Sequence, residues 1–160
     1  MSKNLVAYFS ASGVTKQVAQ NLSHAINSDI YEIQPKVKYT DADLNWMDKQ
    51  ARSTIEMANK SFRPEMIDDN FDISEYDTIF LGFPIWWYVA PTIINTFLER
   101  YDLSNKKIIL FATSGGSRFG KTVEELRVSV SNSTEITEGG ILNNSPTKEQ
   151  LKTWAEKFIK

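Results

Sequence analysis

Apolar residues along this chain occur in two arrangements that alternate from one end to the other. Short runs rich in β-branched and aromatic residues predict strands, and apolar positions spaced three or four residues apart predict amphipathic helices. The runs predict five strands, at 5–9, 30–33, 78–83, 107–112 and 136–142. The helical spacing predicts helices at 14–26, 41–59, 94–101, 122–130 and 146–159. This alternation indicates an α/β fold, with a parallel sheet and helices on both of its faces.

Two segments make the pattern less regular. The connection at 36–70 is long, and Asp41 or Asp43 could cap a helix that continues to about Asn59. The predicted apolar face of that helix consists of Leu44, Met47, Ala51, Ile55 and Ala58. Long connections often cover a functional site, and a plain crossover helix is the alternative. Near the other end, the pair at 139–140, both glycines, predicts an interruption of the last strand.

Composition narrows the class of protein. At 160 residues, with 41% hydrophobic and 24% charged residues, the chain suits one soluble globular domain spanning 1–160. The absence of cysteine excludes disulfides and thiolate ligands, and the single His24 is predicted on the polar side of the first helix, which argues against a zinc site. A net charge of −2 does not favour nucleic-acid binding. No apolar run is long enough to span a membrane, so we expect a cytoplasmic protein.

The first predicted strand leads directly into the first helix through a turn of small residues. Ser10, Ser12 and Thr15 supply hydroxyl groups, and Gly13 has no Cβ that would keep a ligand at a distance. A helix N-terminus at such a turn offers backbone N–H groups and partial positive charge, so the turn is a candidate phosphate site. It contains no Lys or Arg, which would leave a phosphate to neutral donors alone. An ordinary turn has the same composition. The helix that follows has a predicted apolar stripe of Val14, Val18, Leu22, Ala25 and Ile26.

Unusual loops also follow the third and fourth predicted strands. The sequence at 84–91 is Pro-Ile-Trp-Trp-Tyr-Val-Ala-Pro, and neighbouring side chains of an extended segment point to opposite sides. At least one of Trp86 and Trp87 is therefore expected to meet a ligand, a partner or water. The segment at 113–117 is small and rich in glycine, so its backbone can approach a planar ring. Ligands of parallel α/β sheets bind at the carboxyl ends of strands, where these loops lie.

A different interpretation of the third loop comes from residues 115–122. They match G-x-x-x-x-G-K-[ST], the phosphate-loop pattern of nucleoside triphosphatases, between a strand and a helix. Such enzymes also need an apolar strand ending in Asp to hold magnesium. No strand after Thr122 supplies that residue, and the strand at 78–83 continues into proline. The nucleotide-binding interpretation is therefore the weaker one, and the G-x-G-x-x-G fingerprint of nicotinamide-binding folds is absent.

Taken together, the three loops resemble the FMN-contacting loops of flavodoxins. The resemblance rests on the segments at 10–15, 84–87 and 113–117, and is closest to flavodoxin-like proteins with P-I-W-W and T-S-G-G-S motifs. It extends over essentially the whole chain. It implies a flavodoxin-like three-layer α/β sandwich with a five-stranded parallel sheet of order 2-1-3-4-5, and it implies FMN as the cofactor.

The resemblance also assigns residues to parts of the cofactor. The phosphate would be held by the first loop, with Ser10, Ala11, Ser12, Gly13, Val14 and Thr15. One side of the isoalloxazine would be lined by Pro84, Ile85, Trp86 and Trp87. The other side and the pyrimidine edge would be flanked by Thr113, Ser114, Gly115 and Gly116. Redox chemistry would take place on the flavin, without a catalytic side chain.

Two functions remain open within this resemblance. The chain could be an electron carrier that docks onto a redox protein, or an NAD(P)H-dependent FMN oxidoreductase acting on a planar acceptor such as a quinone or nitro compound. The absence of an obvious second nucleotide site favours the carrier. Electron-carrier flavodoxins are typically strongly acidic and this chain is not, which keeps the reductase open. Arg118 and Lys121 could then attract a nicotinamide phosphate, and Trp46, Met47 and Tyr88 could help to stack a planar substrate.

Overall fold

The computed structural model of the chain describes residues 3–11, 13–45, 47–59, 61–67, 71–86, 89–114, 118–143 and 146–159. The strands are β1 (Asn4–Tyr8), β2 (Asp29–Glu32), β3 (Thr78–Pro84), β4 (Lys107–Thr113) and β5 (Glu135–Ile141). The helices are α1 (Val14–Ile26), α2 (Arg52–Ala58), α3 (Thr92–Arg100), α4 (Thr122–Arg127) and α5 (Lys148–Ile159). All strand pairs are parallel, in the order β2-β1-β3-β4-β5. The predicted fold class and strand order are confirmed.

The central strands are buried because both faces of the sheet are covered by helices. Alternate residues of a strand point to opposite faces, so each strand contributes to two cores. One core joins the sheet to α3 and α4, through residues that include Leu5, Ile79, Leu81, Leu110, Ile93, Phe97 and Leu126. The other core joins it to α1 and α5, through Val6, Tyr8, Phe80, Ile109, Phe111, Val18, Leu22, Leu151 and Ala155, among others. Continuous apolar strands are the sequence signature of this arrangement.

The strand order fixes where a ligand can bind. From β1 the chain passes through α1 to β2 on one side, and later returns to β3 on the other side of β1. The connections therefore diverge at the carboxyl ends of β1 and β3, and this divergence opens a crevice between the following loops. Loop 1 (residues 9–13), loop 2 (residues 85–91) and loop 3 (residues 114–121) all start at this edge of the sheet.

The predicted helix at 41–59 is wrong in its first half, since α2 begins only at Arg52. Before it, side chains bond to nearby backbone N–H groups and make turns. Thr40 and Asp43 bond reciprocally, at 2.9 and 3.2 Å, and Asn45 and Asp48 accept from the N–H groups two residues later. These local bonds compete with helix formation.

The buried face of α2 also differs from the predicted one. Met47, before the helix, is 72% exposed and Ile55 is 55% exposed. Ser53 and Glu56 are the buried residues of α2. A buried carboxylate requires a partner, and the partners of Glu56 belong to the site described below.

Strand β5 continues through its two glycines, so the predicted interruption is a local irregularity of register opposite Leu110 and Phe111. A Cβ added to Gly139 would lie 2.5 Å from the carbonyl oxygen of Leu110 and 2.6 Å from the Trp154 ring. The indole Nε1 of Trp154 donates to the Gly139 carbonyl at 3.2 Å. Glycine is needed there because α5 packs directly on the backbone of the edge strand.

Two features of the helices lie away from the crevice. His24 is exposed on α1, as predicted. Within the described part of the chain, no helix combines the length and apolar character needed to cross a membrane.

Candidate functional site

Hydrogen bonds near the carboxyl ends of the strands fix the three loops relative to one another. The hydroxyls of Thr15, in the first turn of α1, and Thr113, the last residue of β4, are 2.7 Å apart and buried. The backbone N–H of Ile85 donates to the Thr113 carbonyl at 2.9 Å. Thr113 directly precedes loop 3, and it bonds to Thr15, just after loop 1, and to Ile85 in loop 2, which brings the three predicted motifs to one place.

Loop 1 presents the start of α1 without a side-chain cap. Gly13 is the N-cap residue, with φ +96°, and an added Cβ there would have no heavy atom within 4 Å. Its own N–H donates to the Ser10 hydroxyl at 3.0 Å. The first N–H groups of a helix have no partner within the helix. Open space, uncapped N–H groups and the positive end of the helix dipole make this turn suitable for a phosphate.

Three other residues of the segment at 10–15 are Ala11, Ser12 and Val14. Val14 is 57% exposed, so it is not part of the apolar stripe of α1 that the spacing predicted. Val18 and Leu22 are buried in that stripe. Ala11 packs against the core on the α3 side of the sheet. Ser12 lies outside the described residues.

Loop 2 turns back on itself directly after β3. Trp86 and Val89 exchange backbone hydrogen bonds of 2.9 and 3.2 Å, which form an antiparallel bridge. The half-buried Trp86 ring meets Phe9 edge to face, with centroids 5.8 Å apart, and meets Tyr39 in the same way at 5.4 Å. Trp86 is thus an aromatic wall between loops 1 and 2. Trp87 and Tyr88 lie outside the described residues.

Tyr39 belongs to the long connection, and no sequence motif pointed to it. Its hydroxyl bonds to the Glu56 carboxylate, and the Arg52 guanidinium lies 3.9 Å from the centre of its ring. Arg52 also donates to Glu56 at 2.8 Å. Burial, followed by the Glu56 carboxylate, raises the pKa of Tyr39 above its ordinary value, so the phenol stays protonated. The connection therefore contributes to the wall of the site through Tyr39, whereas Met47 is exposed and Trp46 lies outside the described residues.

Asn143 holds the start of loop 3. Its Oδ1 accepts from the backbone N–H of Ser114 at 3.0 Å, and its Nδ2 donates to the Ser114 carbonyl at 2.7 Å. This pair of bonds fixes the backbone of Ser114 beside Thr113. Asn143 follows β5 and is far from the loop in sequence, so no local signal identified it. Gly115, Gly116 and Ser117 lie outside the described residues.

The comparisons with known proteins agree with this geometry. The sequence model of the flavodoxin family matches residues 3–158. The chain belongs to the flavodoxin family. Within the family, it is 40% identical to a candidate flavoprotein from Bacteroides eggerthii, with 100% of this chain and 99% of that chain covered and a TM-score of 0.91. A second candidate flavoprotein, from Bacteroides uniformis, is 44% identical, with 97% and 98% covered and a TM-score of 0.88.

A more distant similar structure contains FMN. The flavoprotein from Lactobacillus acidophilus, determined in complex with FMN, is 25% identical over 97% of this chain and 99% of that chain, with a TM-score of 0.70. No curated protein sequence matches the chain significantly.

Thr122 shows how the competing phosphate-loop pattern is used in this flavodoxin-family fold. The residue is fully buried, and its hydroxyl bonds to the carbonyl of Phe119, which is itself buried against Phe83. In a nucleoside triphosphatase this hydroxyl would bind magnesium. Here it closes the turn before α4, and Arg118 and Lys121 are exposed on either side.

Two of the cavities formed by described residues adjoin the three loops. One, of about 300 Å³, lies between loop 1 and the segment after β2, with Ser10, Gly13, Lys16, Glu32, Lys38 and Tyr39 among its lining residues. The other, of about 580 Å³, lies at the starts of α3 and α4 and is lined by Ser61, Arg63, Thr92, Asn95, Lys121, Glu124, Glu125 and Val128. The first directly extends the turn that is suited to a phosphate.

Proposed function

We propose that this chain is a flavodoxin-type electron carrier that binds FMN non-covalently between loops 1, 2 and 3. The observation that carries the proposal is the bonding of Thr15 and Ile85 to Thr113, which joins the three loops at the reversal of strand order. Flavodoxin-family membership and the FMN complex of the Lactobacillus relative support FMN as the cofactor. When bound, FMN supplies the redox chemistry.

The described residues fit the two chemically different ends of this cofactor. The uncapped start of α1, with the open space at Gly13, suits the phosphate. At the other end, Pro84, Ile85 and Trp86 would line one side of the planar ring, and Thr113 and Ser114 would flank the other. The bonds from Asn143 hold Ser114 in place before a ligand arrives, which lowers the ordering cost of binding.

The described loop residues orient the cofactor and exclude water without acting as acids or bases. The described parts of the loops, 9–11, 13, 85–86, 89–91, 114 and 118–121, contain no Asp, Glu, His or Tyr. Tyr39, which forms part of the wall of the site, stays protonated because burial and Glu56 raise its pKa. We therefore assign the chemistry to the cofactor and the binding to the chain. Its partner in this proposal is a redox protein, and the cytoplasmic location stays a prediction.

The test of this proposal has two steps on the purified full chain. The apoprotein is first titrated with FMN, and quenching of flavin fluorescence at a one-to-one ratio is expected. The complex is then reduced anaerobically with dithionite and mixed with an oxidised acceptor protein such as cytochrome c. Rapid, complete transfer of electrons supports a carrier, and transfer no faster than from free FMN contradicts it.

A second candidate, an NAD(P)H-dependent FMN oxidoreductase, is favoured by one observation. The cavity at the starts of α3 and α4 has a volume of about 580 Å³, and it is lined by Lys121 of loop 3 and by Arg63, which pairs with Glu99 at 3.0 Å. Anaerobic addition of NADPH to the oxidised complex separates the two functions. Bleaching of the flavin within seconds, with turnover of a quinone faster than free FMN supports, would favour the reductase. Flavin absorbance that persists favours the carrier.

A further inference from the structure

The phosphate turn of loop 1 lacks positive charge of its own. A phosphate monoester carries about −1.5 to −2 charges near neutral pH, whereas the segment at 10–15 contains no Lys or Arg. Neutral N–H and hydroxyl groups alone would hold that charge if the turn acted by itself. The cavity of about 300 Å³ beside the turn, however, is lined by Lys16 and Lys38 together with Ser10 and Gly13. The fold thus brings two cations to the edge of the phosphate turn.

Lys16 occupies an unusual position for a cation. It is the third residue of α1, and the first turn of that helix contains no acidic residue. A positive charge at a helix N-terminus is repelled by the helix dipole. The Cα–Cβ bond of a helical residue tilts toward the N-terminus, so the stem of Lys16 starts in the direction of loop 1. A bound anion would turn this unfavourable position into a favourable one.

Lys38 comes from a segment whose backbone is held in place. The Lys36 N–H donates to the Glu65 carbonyl at 2.8 Å, and Arg52 donates to the Val37 carbonyl at 2.6 Å. The ammonium of Lys36 pairs with the Glu65 carboxylate at 3.2 Å, away from the cavity. Among the described residues, the ammonium groups of Lys16 and Lys38 have no ion-pair partner. These two charges are therefore available to a ligand.

Glu32 is the acidic residue of the same cavity wall. It lies beside Tyr8 in the sheet. Burial, followed by the charge of Glu32, raises the pKa of Tyr8 to about 12, so the Tyr8 hydroxyl next to Glu32 keeps its proton at neutral pH. One acidic side chain is thus held at the edge of the sheet, against two lysines. The cavity wall retains a net positive charge.

We infer that Lys16 and Lys38 complete the phosphate site and neutralise the phosphate of FMN, which makes binding selective for FMN over riboflavin and dependent on salt. The inference rests on the proposed binding of FMN. It adds residues outside the loop 1 motif, and it replaces the expectation that neutral donors alone hold the phosphate.

The test compares FMN with riboflavin, because the two ligands differ only in the phosphate. Dissociation constants are measured by fluorescence quenching for the wild type and for the double variant K16Q/K38Q. The matched control is K36Q/K152Q, which removes the same charge at exposed positions outside the cavity. Measurements at about 0.02 M and about 0.5 M salt separate exposed charge effects from other causes, since salt screens exposed charges.

For K16Q/K38Q we expect affinity for FMN to fall about tenfold at low salt, because each exposed ion pair between a lysine and the phosphate contributes only modestly to binding. Riboflavin affinity should change less than about twofold, and the difference from wild type should shrink at high salt. The variant Glu32→Gln should bind FMN more tightly than wild type. The control K36Q/K152Q should match the wild type within about twofold.

Three results would overturn the inference. The first is equal FMN affinity in K16Q/K38Q and the control, because the position of the lysines would then not matter. The second is an equal loss for FMN and riboflavin, because the lysines would then act on the fold or on the ring site. The third is a wild-type protein that binds no FMN, which would overturn the proposed function as well. The wild-type titration alone distinguishes this result from the first two, in which the wild type binds FMN.

Discussion

Gly13 has a positive φ and open space beside it, which suit the proposed phosphate site. Its φ of +96° is unfavourable for residues with a Cβ, and Asn and Asp tolerate it better than most. For Gly13→Asp we expect FMN binding to be lost, because the new carboxylate would lie beside the phosphate. Fluorescence titration with FMN measures the loss, and circular dichroism checks that the variant is folded.

The matched control for this substitution is Gly13→Asn, which has nearly the same shape and no charge. Because no heavy atom lies within 4 Å of an added Cβ, both side chains fit without collision. The control should keep measurable FMN binding and have the same thermal midpoint as the Asp variant. Equal FMN affinity in the Asp and Asn variants would contradict the placement of the phosphate at this turn.

Thr15 directly after loop 1 and Thr113 directly before loop 3 make a buried bond that links the two loops. Replacing either by valine leaves the other hydroxyl buried and without its partner, at a cost of about 1–3 kcal/mol in the free energy of unfolding. The double variant T15V/T113V should lose less than the sum of the two single variants. Urea unfolding of the four proteins measures the coupling. Strict additivity would mean that the hydroxyls do not interact in solution.

Because of Tyr8, the stability of the protein should decrease as the pH rises in the alkaline range. Its pKa is raised from 10.0 to about 12 by burial and then by Glu32, so the folded state favours the protonated phenol. This contribution is fully present below pH 10 and is lost as the pH rises through 12. The wild type should therefore lose about 1–3 kcal/mol more than Tyr8→Phe over that interval. If the urea midpoints of the two proteins change by the same amount over this pH interval, the raised pKa of Tyr8 is contradicted.

The site residues divide into those that the sequence identified and those that it did not. Ser10, Gly13 and Thr113 belong to compact motifs, because a turn between a strand and a helix needs small residues next to each other. Tyr39 and Asn143 act on those motifs from distant parts of the chain. Their contacts depend on tertiary packing, which no local spacing records.

Among the elements, α2 shows why a spacing pattern can mislead. Apolar residues at helical intervals predicted a helix from 41, but the segment before Arg52 contains several Asp, Asn and Thr residues that bond to neighbouring backbone groups. The helix that does form buries Glu56, which the polarity of its side chain placed outside the predicted face. The pairing of Glu56 with Tyr39 and Arg52 makes that burial possible.

Loop 3 depends on the element next to it for its shape. For Asn143→Ala we expect FMN affinity to fall about tenfold, because both bonds to the Ser114 backbone are lost and loop 3 must be ordered on binding. The loss of stability should be about 1 kcal/mol. Fluorescence titration and urea unfolding give the two quantities.

Asn143→Asp is the matched control for loop 3. It keeps an acceptor for the Ser114 N–H and removes the donor to the Ser114 carbonyl. Its FMN affinity should lie between those of the wild type and the Ala variant. If Asn143→Ala binds FMN as the wild type does, loop 3 does not need this support.

For the whole molecule, the α/β class follows from the sequence pattern alone. Five apolar runs separated by helical segments leave few other arrangements. The strands at 78–83 and 107–112 are almost continuously apolar after their first residues, Thr78 and Lys107, as expected of strands with two covered faces. The pattern does not contain the order of the strands in the sheet. The order 2-1-3-4-5 came from the resemblance to flavodoxins, and the structure confirms it.

In the proposed function, FMN binds at the edge of the sheet where Thr113 links the three loops. A titration of the ¹⁵N-labelled apoprotein with FMN, followed by amide chemical shifts, tests it most directly. We predict the largest changes at Gly13, Thr15, Ile85 and Ser114, with small changes on the opposite edge of the sheet. Saturable binding with the largest changes at another surface, or no changes at any FMN concentration, would contradict the account.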